Sequence, residues 1–124
     1  TVGRGLGFVA TNTVLGNNAL DANTSGFHNT VVGDEALTNN TEGNRNTAVG
    51  TFALAANTTG DANTAIGDGA LDSNTTADNN TAIGRDALYY TTTGTNNSAV
   101  GTFALDANTS GNSNTAVGKD ALKL

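Results

Sequence analysis

Small and aliphatic side chains recur along this chain in one fixed phrase. Asn12, Asn29, Asn46, Asn63, Asn80, Asn97 and Asn114 stand 17 residues apart without an insertion or deletion, and each opens the unit Asn-Thr-(Ala/Val)-(Val/Ile/Leu)-Gly-x-x-Ala-Leu-x-x-Asn-Thr-x-Gly-x-x. We number its positions one to seventeen. Residues 12–124 hold six full repeats and a partial seventh, while residues 1–11 fit loosely, with Gly3, Gly5 and Gly7 in place of side chains, and read as a degenerate repeat or a junction. Repeats three and six share Thr-Phe-Ala-Leu (51–54 and 102–105), the trace of a duplicated three-repeat block. Such self-similarity is the signature of a solenoid or array.

A 17-residue unit is too short for a helical hairpin repeat, and each Gly inside a helix costs about 1 kcal/mol. Strands suit it better. Residues 46–50 predict one short extended run ended by Gly, and residues 53–58 a second. Two strands and two turns make one coil, so the fold class is all-β, a parallel β-solenoid or β-roll of 17-residue coils. Side chains alternate across a strand, and two aliphatic columns are expected inside. Position four gives Leu15, Val32, Val49, Ile66, Ile83, Val100 and Val117; position nine gives Leu20, Leu37, Leu54, Leu71, Leu88, Leu105 and Leu122. Gly at positions five and fifteen is expected to supply positive φ at the corners. Ala77 interrupts the second Gly series, so Asp78 or Asn79 should absorb that turn.

The recurrent Asn of position one (Asn12, Asn29, Asn46, Asn63, Asn80, Asn97, Asn114) and of position twelve predicts ladders of stacked amides between coils. Asn-x-Ser/Thr triplets such as Asn23-Thr24-Ser25 also match glycosylation acceptors, but they arise by chance in a chain this rich in Asn and Thr.

Composition narrows the functions. With four Phe, two Tyr, and no Trp, Met, Cys or Pro, the chain lacks the large side chains of a globular core. Its apolar residues nevertheless recur in register, unlike those of a disordered segment. A net charge of −6 with five Lys and Arg gives no basic patch, so no nucleic-acid partner is expected. No apolar run approaches the roughly 20 residues of a membrane span, so no membrane insertion is expected within this segment, which reads as the interior of a longer protein.

No catalytic, metal or cofactor site is legible, and the chain is not expected to be an enzyme. The sole histidine, His28, sits in a turn beside Phe27 with no Cys or recurring Ser partner. Asp34, Glu35, Asp61, Asp68, Asp78, Asp86 and Asp120 lack the register that loads calcium into β-rolls. The Gly-rich segment 3–7 lacks the Lys-Ser/Thr pair of a phosphate loop. The aromatics stand out: Phe27, Phe52, Phe103, Tyr89 and Tyr90 interrupt polar or small positions. They are candidate contact residues, expected first to pack between chains and second to hold a sugar.

Two large apolar side chains per coil make a thin core for one chain to fold on alone. Ala at positions three and eight suits close approach of another backbone, so the Ala and Gly face is expected to pack against sister chains. The phrases Asn-Thr-Ala-Val-Gly and Asn-Thr-Ala-Ile-Gly resemble the Asn-Ser-Val-Ala-Ile-Gly type of the head repeats in YadA-like trimeric autotransporters. The longer unit with Ala-Leu-x-x-Asn-Thr-x-Gly is similar to repeats of phage tail-fibre and tail-fibre-like proteins. The resemblance covers most of the chain, although the autotransporter head repeats run shorter than 17 residues. It implies a homotrimeric β-roll or interwoven β-shaft outside the cell, at the cell surface or on a virion. The function it implies is attachment, with a host or cell-surface glycan or protein engaged through flanking domains. The expected role is a structural fibre shaft of an adhesin or tail-fibre-like protein, each coil adding about 4.8 Å of length. The alternatives are an ice-binding β-solenoid, presenting Thr columns at positions two and thirteen, and a self-stacking extracellular filament.

Overall fold

The computed structural model describes residues 11–123. The expected junction over residues 1–11 therefore lies, apart from Thr11, outside the described residues, as does Leu124. Among the described residues seven three-residue strands occur in chain order: β1 (Thr13–Leu15), β2 (Thr30–Val32), β3 (Thr47–Val49), β4 (Thr64–Ile66), β5 (Thr81–Ile83), β6 (Ser98–Val100) and β7 (Thr115–Val117). They form one parallel sheet in sequential order. Each strand pairs with the next in the same register, Thr13 against Thr30, Thr30 against Thr47 and so on to Ser98 against Thr115. One repeat is thus one coil of a parallel β-solenoid.

The second strand expected in each coil does not form. In its place the chain takes successive tight turns, seen in coil three as Ala53 N–H to Gly50 O, Ala55 N–H to Phe52 O and Asn57 N–H to Leu54 O. Positions seven, nine and seventeen adopt positive φ whatever residue they carry; every position-nine Leu lies between 49° and 54°. A non-glycine residue in this left-handed region costs of order 1–3 kcal/mol, and β alternation cannot survive it. Between these local bonds, alternate N–H groups reach neighbouring coils: Phe52 to Asp34 O, Leu54 to Ala70 O and Ala56 to Asp72 O. Every second amide therefore closes a turn, and those between them tie coil to coil.

Strand polarity is opposite to the expected one. Position three faces inward, where Val14, Val31, Ala48, Ala65, Ala82, Ala99 and Ala116 are buried. Position four faces outward: Ile66, Ile83 and Val100 are each 39% exposed, Leu15 and Val117 more so, and Val32 and Val49 are half-buried. The core consists of positions three, eight and nine, with Leu20, Leu37, Leu54, Leu71, Leu88 and Leu105 packed among the alanines, while Leu122 in the last coil is exposed. The alanines expected to meet sister chains thus line the chain's own interior. One Leu and two small residues fill a coil, and a larger inward residue at position three of every rung would overfill it.

The rest of the interior is amide. In the position-one column, Asn46 N–H donates to Asn29 Oδ1 at 2.9 Å and Asn46 Nδ2 donates to Gly60 O at 2.8 Å; the same pair of bonds recurs for Asn29, Asn63, Asn80 and Asn97. In the position-twelve column, Asn57 Nδ2 donates to Asn40 Oδ1 (2.8 Å) and Asn74 Nδ2 to Asn57 Oδ1 (2.8 Å).

Glycines serve the two corners differently. At position five φ is positive throughout, +137° at Gly67, where a Cβ would also stand 2.6 Å from the carbonyl of Gly84. At position fifteen φ is not in the left-handed region, against expectation; Gly is required there for space, since a Cβ on Gly43 would meet Asn40 Oδ1 at 2.3 Å and Asn57 Nδ2 at 2.8 Å. Ala77 consequently displaces no turn, and Asn79 (φ 60°) behaves as position seventeen does in the other coils.

Ala77 is instead matched by a second departure. Thr91 stands where the next coil would carry Asn, which removes one of the atoms that crowds position fifteen, and its hydroxyl bonds to Asn108 O. The consequence is that Asn74 Oδ1, buried, has no donor. Restoring both consensus residues tests this account. The pair Ala77→Gly with Thr91→Asn is expected to raise the urea midpoint beyond the sum of the single effects, with a coupling of about 1 kcal/mol, the net worth of one buried hydrogen bond. Simple additivity would leave the orphaned amide unexplained.

Candidate functional site: the strand face and an aromatic cleft

Two outer surfaces differ from the rest. The first is the strand face. Positions two and four point outward together, so Thr13, Thr30, Thr47, Thr64, Thr81, Ser98 and Thr115 form a hydroxyl column beside the aliphatic column of position four. Parallel in-register pairing repeats both at about 4.8 Å, and the columns stand roughly 7 Å apart. In repeats one to seven every charged residue falls at positions six, seven, ten, fourteen, sixteen or seventeen, so this face carries no charge. The Thr column at position thirteen is not equivalent, because its hydroxyls are turned along the stack, Thr41 Oγ1 to Thr58 O (3.1 Å) and Thr58 Oγ1 to Thr75 O (3.0 Å).

The second surface lies on the turns of coils five and six. Asp86, Tyr89, Tyr90, Phe103 and Asp106 line an open cleft of ≈ 240 Å³. The two Tyr rings meet edge to face with centroids 4.8 Å apart. Phe103 lies beneath two cations, Lys123 Nζ at 4.0 Å and the Arg85 guanidinium at 4.9 Å from its centroid. The same cations face the carboxylates: Arg85 Nε lies 3.5 Å from Asp86, and Lys123 Nζ lies 3.8 Å from one oxygen of Asp106. The other Asp106 oxygen is buried without a donor. Gly69, one coil earlier, leaves room for two of the lining residues. It is the one glycine at position seven, and a Cβ there would stand 2.4 Å from Asp86 Oδ1 and 3.2 Å from the Tyr89 ring.

Burial holds the Asp72 carboxyl above the ordinary carboxylate range, against a hydrogen bond from the Tyr89 phenol and with a smaller push in the same direction from Asp86. The Tyr89 phenol is in turn raised, chiefly by the Asp72 charge. Asp120 is lowered, chiefly by the hydrogen bond from Lys119.

The other sequence candidates are scattered. Phe27, in coil one, packs edge to face on His28 (5.1 Å) under Arg45, while Phe52, in coil three, is 42% exposed. Only Tyr89, Tyr90 and Phe103 come together. The acidic partners Asp86 and Asp106 and the opening at Gly69 were not singled out by sequence reasoning for this cleft; Gly69 was legible as a break in position seven. Among the described residues no three His, Cys, Asp or Glu side chains form a metal-binding group, and no helix is long and apolar enough to cross a membrane. No protein-family model matches the chain, and no curated protein or solved structure shows significant similarity to it.

The raised Asp72 carboxyl gives a pH signature. Its ionised form is disfavoured in the folded chain, so its contribution to stability is fully present below the unfolded value and is lost as pH rises through the folded one. Asp72→Asn keeps an acceptor for Tyr89 and is expected to unfold at higher urea than wild type at neutral pH. That gap should close as pH falls below the ordinary value of 3.8. A gap independent of pH would show that Asp72 acts through packing.

Proposed function

We propose that this chain is a segment of a structural fibre shaft, homotrimeric, belonging to an extracellular adhesin or tail-fibre-like attachment protein at a cell surface or on a virion, with no catalytic role. The observation that supports the reading is the strand face. An aliphatic column runs along all seven rungs without a charge beside it, on a chain whose net charge is −6. Extended apolar faces of this kind mark contact surfaces. A partner that covers it rung for rung must share its pitch, and a further copy of the same solenoid does so. The acidic turns would repel a sister chain, whereas the strand face meets one without like charges. Contact area grows with each coil, so a longer array binds its sisters more firmly and also projects its tip farther. The shaft role requires no site of its own, and recognition of a host or cell-surface glycan or protein is assigned to flanking domains.

Multi-angle light scattering is expected to give three times the chain mass. Ile66→Asp combined with Ile83→Asp should yield a monomer that keeps its β-sheet circular dichroism, because both side chains lie outside the core of the single chain. A stable, monodisperse wild-type monomer would overturn the shaft proposal.

A second reading rests on the same face, since a regular, uncharged grid of hydroxyls and aliphatic groups is also suited to ordered water. Under it the wild type produces thermal hysteresis, a gap between melting and ice growth, that Ile66→Asp abolishes. Absence of that gap disposes of the reading.

A further inference from the structure

We propose that the cleft on coils five and six binds a neutral saccharide ring, independently of how the strand face is covered. Three departures from the repeat converge there. Position seven elsewhere carries a side chain, and Gly69 opens the space that Asp86 and Tyr89 occupy. Position eleven in the other full repeats is Ala22, Asn39, Ala56, Ser73 or Ala107, and Tyr90 replaces this small residue with a ring that is 55% exposed. Position ten contributes Tyr89 in place of the Asp, Thr or Ala of the other full repeats. An exposed ring at a position that folds with Ala is not there for the core, and departures from local rules concentrate at functional sites.

The lining selects the ligand class. The exposed Tyr90 ring offers an apolar surface of the kind that the C–H face of a pyranose covers, with the edge-to-face Tyr89 holding it in place. Asp86 and Asp106, both in the lining, supply carboxylate acceptors for hydroxyl donors. A cationic ligand is disfavoured because Lys123 and Arg85 already occupy the Phe103 face and both carboxylates. An acidic sugar is disfavoured as well, because Arg85 and Lys123 are already engaged by Asp86 and Asp106 and leave no free cation to meet it. The cleft, at ≈ 240 Å³, falls below the size of drug-sized pockets and accommodates one or two rings. Affinity on the order of millimolar is the ordinary level for about a dozen ligand atoms in so open a site.

Saturation-transfer NMR on the whole chain, with methyl glycosides of glucose, galactose, mannose and N-acetylglucosamine as probes, tests this. N-acetylneuraminic acid and choline serve as charged comparators. At least one neutral glycoside is expected to receive saturation, with amide shifts confined to coils five and six. Tyr90→Ala returns position eleven to its commonest residue, so the solenoid is expected to keep its unfolding midpoint while losing the signal at least tenfold. Phe52→Ala, in coil three, should leave the signal intact. Silence from all four glycosides, a stronger response to either charged comparator, or a signal that survives Tyr90→Ala would each overturn the proposal. None of these outcomes bears on the oligomeric mass, so the shaft reading stands or falls separately.

Discussion

A coil this narrow can keep its shape only if nearly every backbone polar group finds its partner one coil away, and the whole structure follows from that constraint. Thr47 N–H donates to Asn63 O ahead of it, and Gly50 N–H donates to Val32 O behind it. Each coil is thus tied to both neighbours by bonds that assume the same 17-residue offset. One inserted residue would break them all in its coil, which gives a physical reason for the absence of insertions over seven repeats. The amide columns extend the same rule to side chains. Asn supplies an acceptor for one coil and a donor within its own, so it replaces backbone partners at the corners where the strand ends.

The constraint also explains why strained backbone is tolerated. Leu54 at φ 54° and Phe52 at φ 57° occupy a region that non-glycine residues ordinarily avoid. Their amides are nevertheless fixed to Ala70 O and Asp34 O in the coils on either side, and their carbonyls accept the turn bonds of Asn57 and Ala55. With both flanks determined, the backbone has no relaxed alternative that keeps its hydrogen bonds. The left-handed Leu then turns its side chain into the interior, the largest apolar contribution that each coil makes.

Much of this was legible in the residues. The period, the parallel in-register stack and the Asn columns follow from the exact spacing of Asn46, Asn63 and Asn80. The phase of the strand is legible only from alternation, since side-chain size alone points the other way. Ile66 looks like core and Ala65 does not, yet Thr64 and Ile66 must share a face, and Thr at every rung marks that face as outer. The tight turns of residues 53–58 were hidden for another reason: positive φ at Leu54 is imposed by bonds to adjacent coils, and no local preference of Leu announces it. For the cleft, the pair Tyr89 and Tyr90 was visible as a disturbance in the repeat. The contribution of Gly69 depends on contact across one coil spacing, which a linear reading treats as seventeen unrelated residues.

Repetition itself divides the surface into two kinds of information. A column present at every rung specifies only something that is also periodic, so the Thr and aliphatic columns are suited to a repeated partner and cannot mark one place along the rod. A singular site has to be written as exceptions, and exceptions weaken the stack. The orphaned amide of Asn74 lies beside Ala77 and Thr91, one position along from Tyr90, in the same coils that carry Gly69 and the two tyrosines. Scattered wear would place such defects independently along the array. Their concentration on coils four and five sets that stretch apart from an otherwise uniform solenoid, and departures from local rules are expected where a site is local and not periodic.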